Sequence, residues 1–278
     1  MKKTEVPRFV KWAGGKLQLI EQFKPFFPKE IKRYFEPFVG SGAVAFYVIQ
    51  KYQPKETVLS DINDELITAF NAIKTDAEQL INKLKEHKKK HLKQSKEYYY
   101  QIRQMDPAKL TKLEKAARFI YLNKTCFNGL YRVNSKGQFN VPMGSYKNPD
   151  IIQADKLRLI SKLLKKVKTK KMSFEKVIKL AKKGDFIYFD PPYYPLKKGK
   201  SFTTYTKNKF LENEQKELAN IFRILDKKGC KVMLSNSDTA FIKKLYKKYN
   251  IHIVKASRPI NSNGSNRGKI NEVVITNY

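Results

Sequence analysis

Arg33-Tyr34-Phe35-Glu36-Pro37-Phe38-Val39-Gly40-Ser41-Gly42, followed by the apolar run Ala43 to Ile49 and then by Thr57-Val58-Leu59-Ser60-Asp61, decides the fold. A short apolar strand enters a turn with two glycines, and a stretch of helix length leads to a second strand that ends on a carboxylate. Strand, turn, helix, strand is a βαβ unit and predicts an α/β protein with a parallel sheet. The glycines let a ligand approach backbone N–H groups at the helix start, although a short Gly-x-Gly is more often a plain turn. Asp61 stands 19 residues past Gly42, where an acidic side chain can accept hydrogen bonds from ribose hydroxyls. No third glycine completes the dinucleotide fingerprint, so a nucleoside cofactor fits this turn better than NAD.

A second stretch, Phe186-Ile187-Tyr188-Phe189-Asp190-Pro191-Pro192-Tyr193, reads as a buried strand leaving the sheet at its prolines. A carboxylate beside free proline carbonyls can draw off both hydrogens of an exocyclic amine and leave its lone pair aimed elsewhere. Tyr193 offers a ring for a planar base. A structural turn is the plainer reading of Asp-Pro-Pro, but directly after an apolar strand the functional one is favoured.

Between these stretches the pattern is helical. Leu66, Phe70 and Ile73, then Leu80, Ile81 and Leu84, recur at helical spacing. Asp106-Pro107 can start a helix, or Thr111 to Glu114 can instead form a capping box just before Ala116, Ala117 and Ile120. Residues 126–148 turn polar, glycine-bearing and aromatic, as a loop or hairpin would. After residue 172 the α/β pattern returns. Leu218, Ile221, Phe222 and Leu225 share a helix face closed by Gly229, and Val232 to Leu234 read as a strand. Phe241, Ile242, Leu245 and Tyr246 form a further helix face, with Ser237 or Asp238 as its N-cap, and Asn236, following the strand, would border the site. Ile251 to Ala256 and Glu272 to Thr276 read as strands joined by a Ser/Asn/Gly-rich loop. The expected layout is a discontinuous α/β domain, residues 1–65 and 166–278, interrupted by a module over 66–165.

The 278 residues hold 58 Lys and Arg against 25 Asp and Glu, a formal charge of +33. Such an excess points to a polyanionic partner, nucleic acid or anionic membrane, although lysine runs are commonly solvated helix faces. The longest apolar run is too short to cross a bilayer, which needs roughly 20 residues. Met1 to Pro7 carry no apolar leader, and Cys126 and Cys230 have no metal-ligand spacing. The expectation is a cytoplasmic, nucleoid-associated protein with no membrane association and no metal. His87 and His91 bracket three lysines and lack the glutamate of His-Glu-x-x-His, so they are expected on a solvated charged helix.

Phe9-Val10-Lys11-Trp12-Ala13-Gly14-Gly15-Lys16, Phe35 to Gly42 and Asp190 to Tyr193 occur in the order found in Dam-type (D12 class, group alpha) DNA adenine-N6 methyltransferases. Cys126-Phe127-Asn128-Gly129-Leu130-Tyr131-Arg132-Val133-Asn134 and Phe139-Asn140-Val141-Pro142 resemble that family's DNA-contacting segment. The resemblance spans nearly the whole chain. It implies a Rossmann-like S-adenosylmethionine-dependent sheet with an inserted, mainly helical target-recognition domain, and S-adenosylhomocysteine as a product. Double-stranded DNA is the implied partner, for a monomer or weak dimer.

By that resemblance Trp12, Ala13, Gly14, Lys16, Glu36, Pro37, Phe38, Gly40, Ser41, Gly42, Asp61, Ile62, Phe174 and Asp190 would border the cofactor, with Asp61 on its ribose. Asp190, Pro191, Pro192 and Tyr193 would form the catalytic turn. Lys11, Phe127, Asn128, Leu130, Arg132, Asn134 and Pro142 would meet DNA. Arg132 and Lys11 suit guanines and Leu130 a thymine methyl, which implies GATC. Phe127 would wedge into the stack left by a flipped adenine, although the family often has tyrosine there. Three alternatives stay open: a cytosine-N4 methyltransferase, an RNA-adenine methyltransferase and a non-catalytic basic DNA-binding protein.

Overall fold

The computed structural model describes residues 6–196, 210–257 and 269–278. The start of the chain and the Ser/Asn/Gly-rich loop before Glu272, both read from sequence above, lie outside the described residues. Seven strands form one sheet: β1 (Arg33–Glu36), β2 (Glu56–Asp61), β3 (Val167–Lys171), β4 (Phe186–Phe189), β5 (Lys231–Ser237), β6 (Asn250–Ser257) and β7 (Lys269–Thr276). Their order is β3-β2-β1-β4-β5-β7-β6. The first five are parallel, and β7 inserts antiparallel between β5 and β6. The order reverses between β1 and β4, so their C-terminal ends flank the crevice where ligands bind in open α/β sheets. This is the expected Rossmann-like sheet.

Strand periodicity sorts the core. Tyr34, Phe186, Tyr188, Met233 and Val274 face one side, and Phe35, Ile187, Phe189, Val232, Leu234, Val273 and Ile275 the other. Buried on both faces, the central strands read as continuous apolar runs rather than as alternation. The helices are α1 (Ile20–Phe23), α2 (Ala43–Tyr52), α3 (Asp64–Lys93), α4 (Ser95–Gln104), α5 (Lys112–Thr125), α6 (Ala154–Leu164), α7 (Val177–Leu180), α8 (Glu212–Lys227) and α9 (Ala240–Leu245). At the outer edge of β6, the Gln22 amide donates to Lys255 O and accepts from Lys255 N, both at 2.9 Å, and so covers part of an otherwise open edge.

Asn63 caps α3 by accepting from Leu66 N, and non-helical dihedrals at Asp76 interrupt the helix. That break falls in the gap between the two apolar groups read from sequence, 66–73 and 80–84. Helix α3 packs on α5 and α6, and these helices share one apolar cluster with one face of the sheet. The capping box of Thr111 and Glu114 opens α5, and Asp106 caps a 3-10 turn at Pro107–Lys109.

Two sequence expectations need correction. His87 and His91 do not lie on a solvated face. His91 is 3% exposed and pairs with Tyr121 OH at 2.9 Å, while His87 pairs with Tyr98 OH at 2.7 Å and stacks on Tyr121. The physical reason is spacing: 80, 84, 87 and 91 form one stripe, so the imidazoles extend the apolar face while Lys89 and Lys90 point outward. Burial pushes the His87 pKa down to about 4. The second correction is the cap of α9, which is Thr239 accepting from Ile242 N, not Ser237 or Asp238.

Candidate active site

The glycine turn closes tightly after β1. Gly42 N donates to Val39 O at 2.8 Å, and Val39 N donates to Ser60 O at the end of β2. Gly40 and Gly42 take positive φ, 48° and 77°. A Cβ on Gly40 would lie 2.8 Å from the Trp12 ring, so the absent side chain is what lets the indole cover the turn. Trp12 also stacks on Tyr131 at 5.7 Å. On the β2 side, Asp61 accepts from Gly40 N at 3.3 Å and Asn63 N at 3.0 Å. Burial raises its pKa to about 6, against those backbone donors. Ile62 beside it is 47% exposed, apolar surface left at a strand end. Phe38 stacks on Phe174 at 5.2 Å, and Phe210 packs against both.

The segment after Trp12 spans from this turn to the end of β4. Gly15 N donates to Trp12 O, Gly14 takes φ 75°, and Ser41 lies against Gly15. The chain then delivers Lys16, 4% exposed, whose ammonium meets Asp190 Oδ1 at 2.8 Å and also donates to Gly14 O. Ser235 Oγ of β5 donates to the same Oδ1 at 2.9 Å and lies 2.8 Å from Tyr188 OH. Both recorded partners of Asp190 therefore meet one oxygen, and Oδ2 carries none among the described residues. Burial raises the Asp190 pKa, while Lys16 and then Ser235 act in the opposite direction. Glu36 is fully buried next to this pair and accepts from Tyr34 OH; burial holds its pKa well above the usual carboxylate range.

Around the prolines several polar groups are tied down. Gln215 donates to Pro192 O at 2.9 Å, Tyr194 N donates to Asn236 Oδ1 at 3.1 Å, and Asn236 donates to Gln215 Oε1. Tyr193 donates to Glu272 Oε2 at 2.8 Å, and the Lys16 ammonium lies 4.6 Å from its ring centroid. Asn236, read from sequence as bordering the site, thus holds the turn's backbone.

The 126–146 region is built differently. Phe127–Gly129 forms a 3-10 turn with Asn128 at φ 55°, and Phe127 projects from it with 50% exposure. The backbone holds this turn: Phe127 N donates to Pro142 O and Gly144 N to Thr125 O, with bridges Cys126–Met143 and Val133–Phe139. Asn123 ties it to the Lys11 segment. It accepts from Lys11 N, donates to Lys11 O, and donates to Gly129 O. The Lys11 side chain lies where a Cβ on Gly129 would be, and its ammonium meets Tyr146 OH at 3.1 Å. Arg132 is exposed and donates to Asn140, Pro142 is exposed, and Leu130 is half-buried. Asn134 Oδ1 accepts from Lys136 N and Gln138 N and so shapes the hairpin tip.

The structure thus gathers the residues read from sequence into two groups. Trp12, Gly40, Asp61, Lys16 and Asp190 line the strand ends; Lys11, Phe127, Leu130 and Arg132 gather at the turn. Sequence reasoning passed over Ser235, Tyr188, Glu272, Asn123, Tyr146 and Phe210. Phe210 and Tyr188 look like core aromatics in sequence; Asn123, the polar residue following Phe119 to Leu122, was the one detectable signal.

Residues 12–260 match the family model of the D12 class N6 adenine-specific DNA methyltransferase. The type II methyltransferase M.MjaIII of Methanocaldococcus jannaschii is 46% identical, covering 99% of this chain and all of that one. The DNA adenine methylase of Haemophilus influenzae is 35% identical, covering 96% of this chain and 92% of its own length. Among solved structures, the N-terminal domain of human METTL16 in complex with SAH covers 99% of this chain and 75% of its own at 8% identity and a TM-score of 0.41, too distant a likeness to weigh.

Proposed function

The chain belongs to the D12 class of N6 adenine-specific DNA methyltransferases, and on that premise we propose that it methylates adenine in duplex DNA within GATC, after turning the base out beside Asp190. The observation that carries this reading is the uncommitted Asp190 Oδ2 at the end of β4. Among the described residues, Lys16 and Ser235 hold the carboxylate, both through Oδ1. With the Pro192 carbonyl taken by Gln215, the Pro191 carbonyl is the second acceptor. Two acceptors fit an exocyclic amine with two hydrogens.

S-adenosylmethionine is the methyl donor, and when bound it supplies a methyl group already activated by a positive sulfur. The residues present fit such a nucleoside. Asp61 would accept from its ribose, Ile62, Phe38 and Phe174 offer apolar surface to its adenine, and the turn at Gly40 to Gly42 under Trp12 admits close backbone approach. Asp190 and Pro191 draw off the amine hydrogens and aim the nitrogen lone pair, so the rate comes mainly from positioning. Lys16 favours the ionised form of Asp190, which can then take up the proton that the methylated nitrogen releases. No strong base is required.

A base buried in a duplex must leave the stack before it can reach this turn. Phe127, apolar and half-exposed on a turn held by backbone bonds, is shaped to fill the vacated space. Arg132 and Lys11 would read guanines and Leu130 a thymine methyl. Residues 66–165 are assigned as the target-recognition domain, with 1–65 and 166–278 catalytic. Incubation with methyl-labelled cofactor and duplexes holding one GATC tests the reading. Label recovered as N6-methyladenine from that site is expected; label on cytosine, or equal labelling of a duplex without GATC, would overturn it.

A further inference from the structure

Hydrogen bonds from Gln215 to the Pro192 carbonyl and from Tyr194 N to Asn236 fix the backbone of the Asp-Pro-Pro-Tyr turn, but they do not set the plane of the Tyr193 ring. A ring can turn about its side-chain bonds while the backbone stays in place. A contact that bears on the plane is remote in sequence: Tyr193 OH, which also neighbours Ser235, donates to Glu272 Oε2 at 2.8 Å. Glu272 lies near the start of β7, opposite Ser237 of β5. Because β7 runs antiparallel, its first residues reach the same edge of the sheet as the C-terminal ends of β4 and β5. A side chain from a strand after the parallel set thereby arrives beside the catalytic turn.

A hydrogen bond to an ionised acceptor is stronger and more directional than one between neutral groups. Burial, followed by the charges of Asp190 and Glu272, holds the Tyr193 phenol well above its usual pKa, so it remains a neutral donor. The Lys16 ammonium near the same ring ties ring plane and carboxylate together, since a tilted ring would disturb the cation that holds Asp190.

We propose that Glu272 is a positioning residue for methyl transfer: by accepting the Tyr193 hydroxyl it holds the ring in the plane against which the target base stacks. The inference rests on the reading of the site above. Glu272→Ala is expected to lower kcat about ten- to hundredfold, with cofactor affinity by calorimetry and duplex affinity by gel shift changed less than about twofold. Glu272→Gln keeps an acceptor oxygen and should recover most of the rate. In a Tyr193→Phe background, where the hydroxyl is already gone, Glu272→Ala should cost almost nothing more, the mark of a pair acting through one contact. Additive losses in an active enzyme, or a Gln variant as slow as the Ala variant, would overturn the positioning role while leaving the site assignment intact. A wild type that methylates no adenine would overturn both.

Discussion

The strand-end cluster and the Phe127–Gly129 turn hold their side chains in opposite ways. Around Asp190 the polar groups hold one another: Lys16, Ser235, Tyr188 and the Tyr193–Glu272 pair form a partly desolvated network that leaves Asp190 Oδ2 open among the described residues. Around Phe127 the backbone does the holding, and Phe127 and Arg132 are left facing solvent. Chemistry on an amine gains from acceptors fixed in advance in a low-dielectric setting, where each hydrogen bond counts for more. Reading a duplex requires side chains that reach outward from a rigid base. Asn123 connects the turn to the segment that runs on to Lys16 and, through it, to Asp190, since it binds both the Lys11 backbone and the Gly129 carbonyl.

Two substitutions separate these designs. The largest effect is expected at the first. Asp190→Ala should abolish measurable turnover, a loss on the order of a thousandfold or more, while duplex affinity in a gel shift stays near that of the parent. Retained turnover would mean that the amine is held elsewhere. Arg132→Ala should act on selectivity instead. Discrimination at one guanine of the site should fall by about 1–3 kcal/mol, read as relative kcat/KM on singly substituted duplexes. Uniform weakening on all sequences would make Arg132 a phosphate contact and blur the distinction between the two regions.

The central strands were legible because they are buried on both faces, and short apolar runs ending in glycine, aspartate or proline leave few alternatives; the edge strand β3, Val167–Lys171, has mostly exposed lysines and was not read as a strand. Phe186 to Phe189 and Thr57 to Asp61 both fell where expected. The carboxylates were visible for the same reason: a charge that terminates a buried strand stands out. Their supports were not. Ser235 is a small polar residue inside a strand, and Glu272 acts through a contact 79 residues away, which no local pattern encodes. The histidines of α3 show the reverse failure. Their spacing continued the apolar stripe, but the lysines between them masked it, because local charge density does not tell which way a helix face points.

The most direct test is a crystal structure of the protein with a non-reactive cofactor analogue and a GATC duplex. The account predicts an extrahelical adenine whose N6 lies about 2.9 Å from Asp190 Oδ2 and from the Pro191 carbonyl, with Lys16 and Ser235 still on Oδ1. An adenine left in the stack, or one whose amine faces any other acceptor, would contradict it.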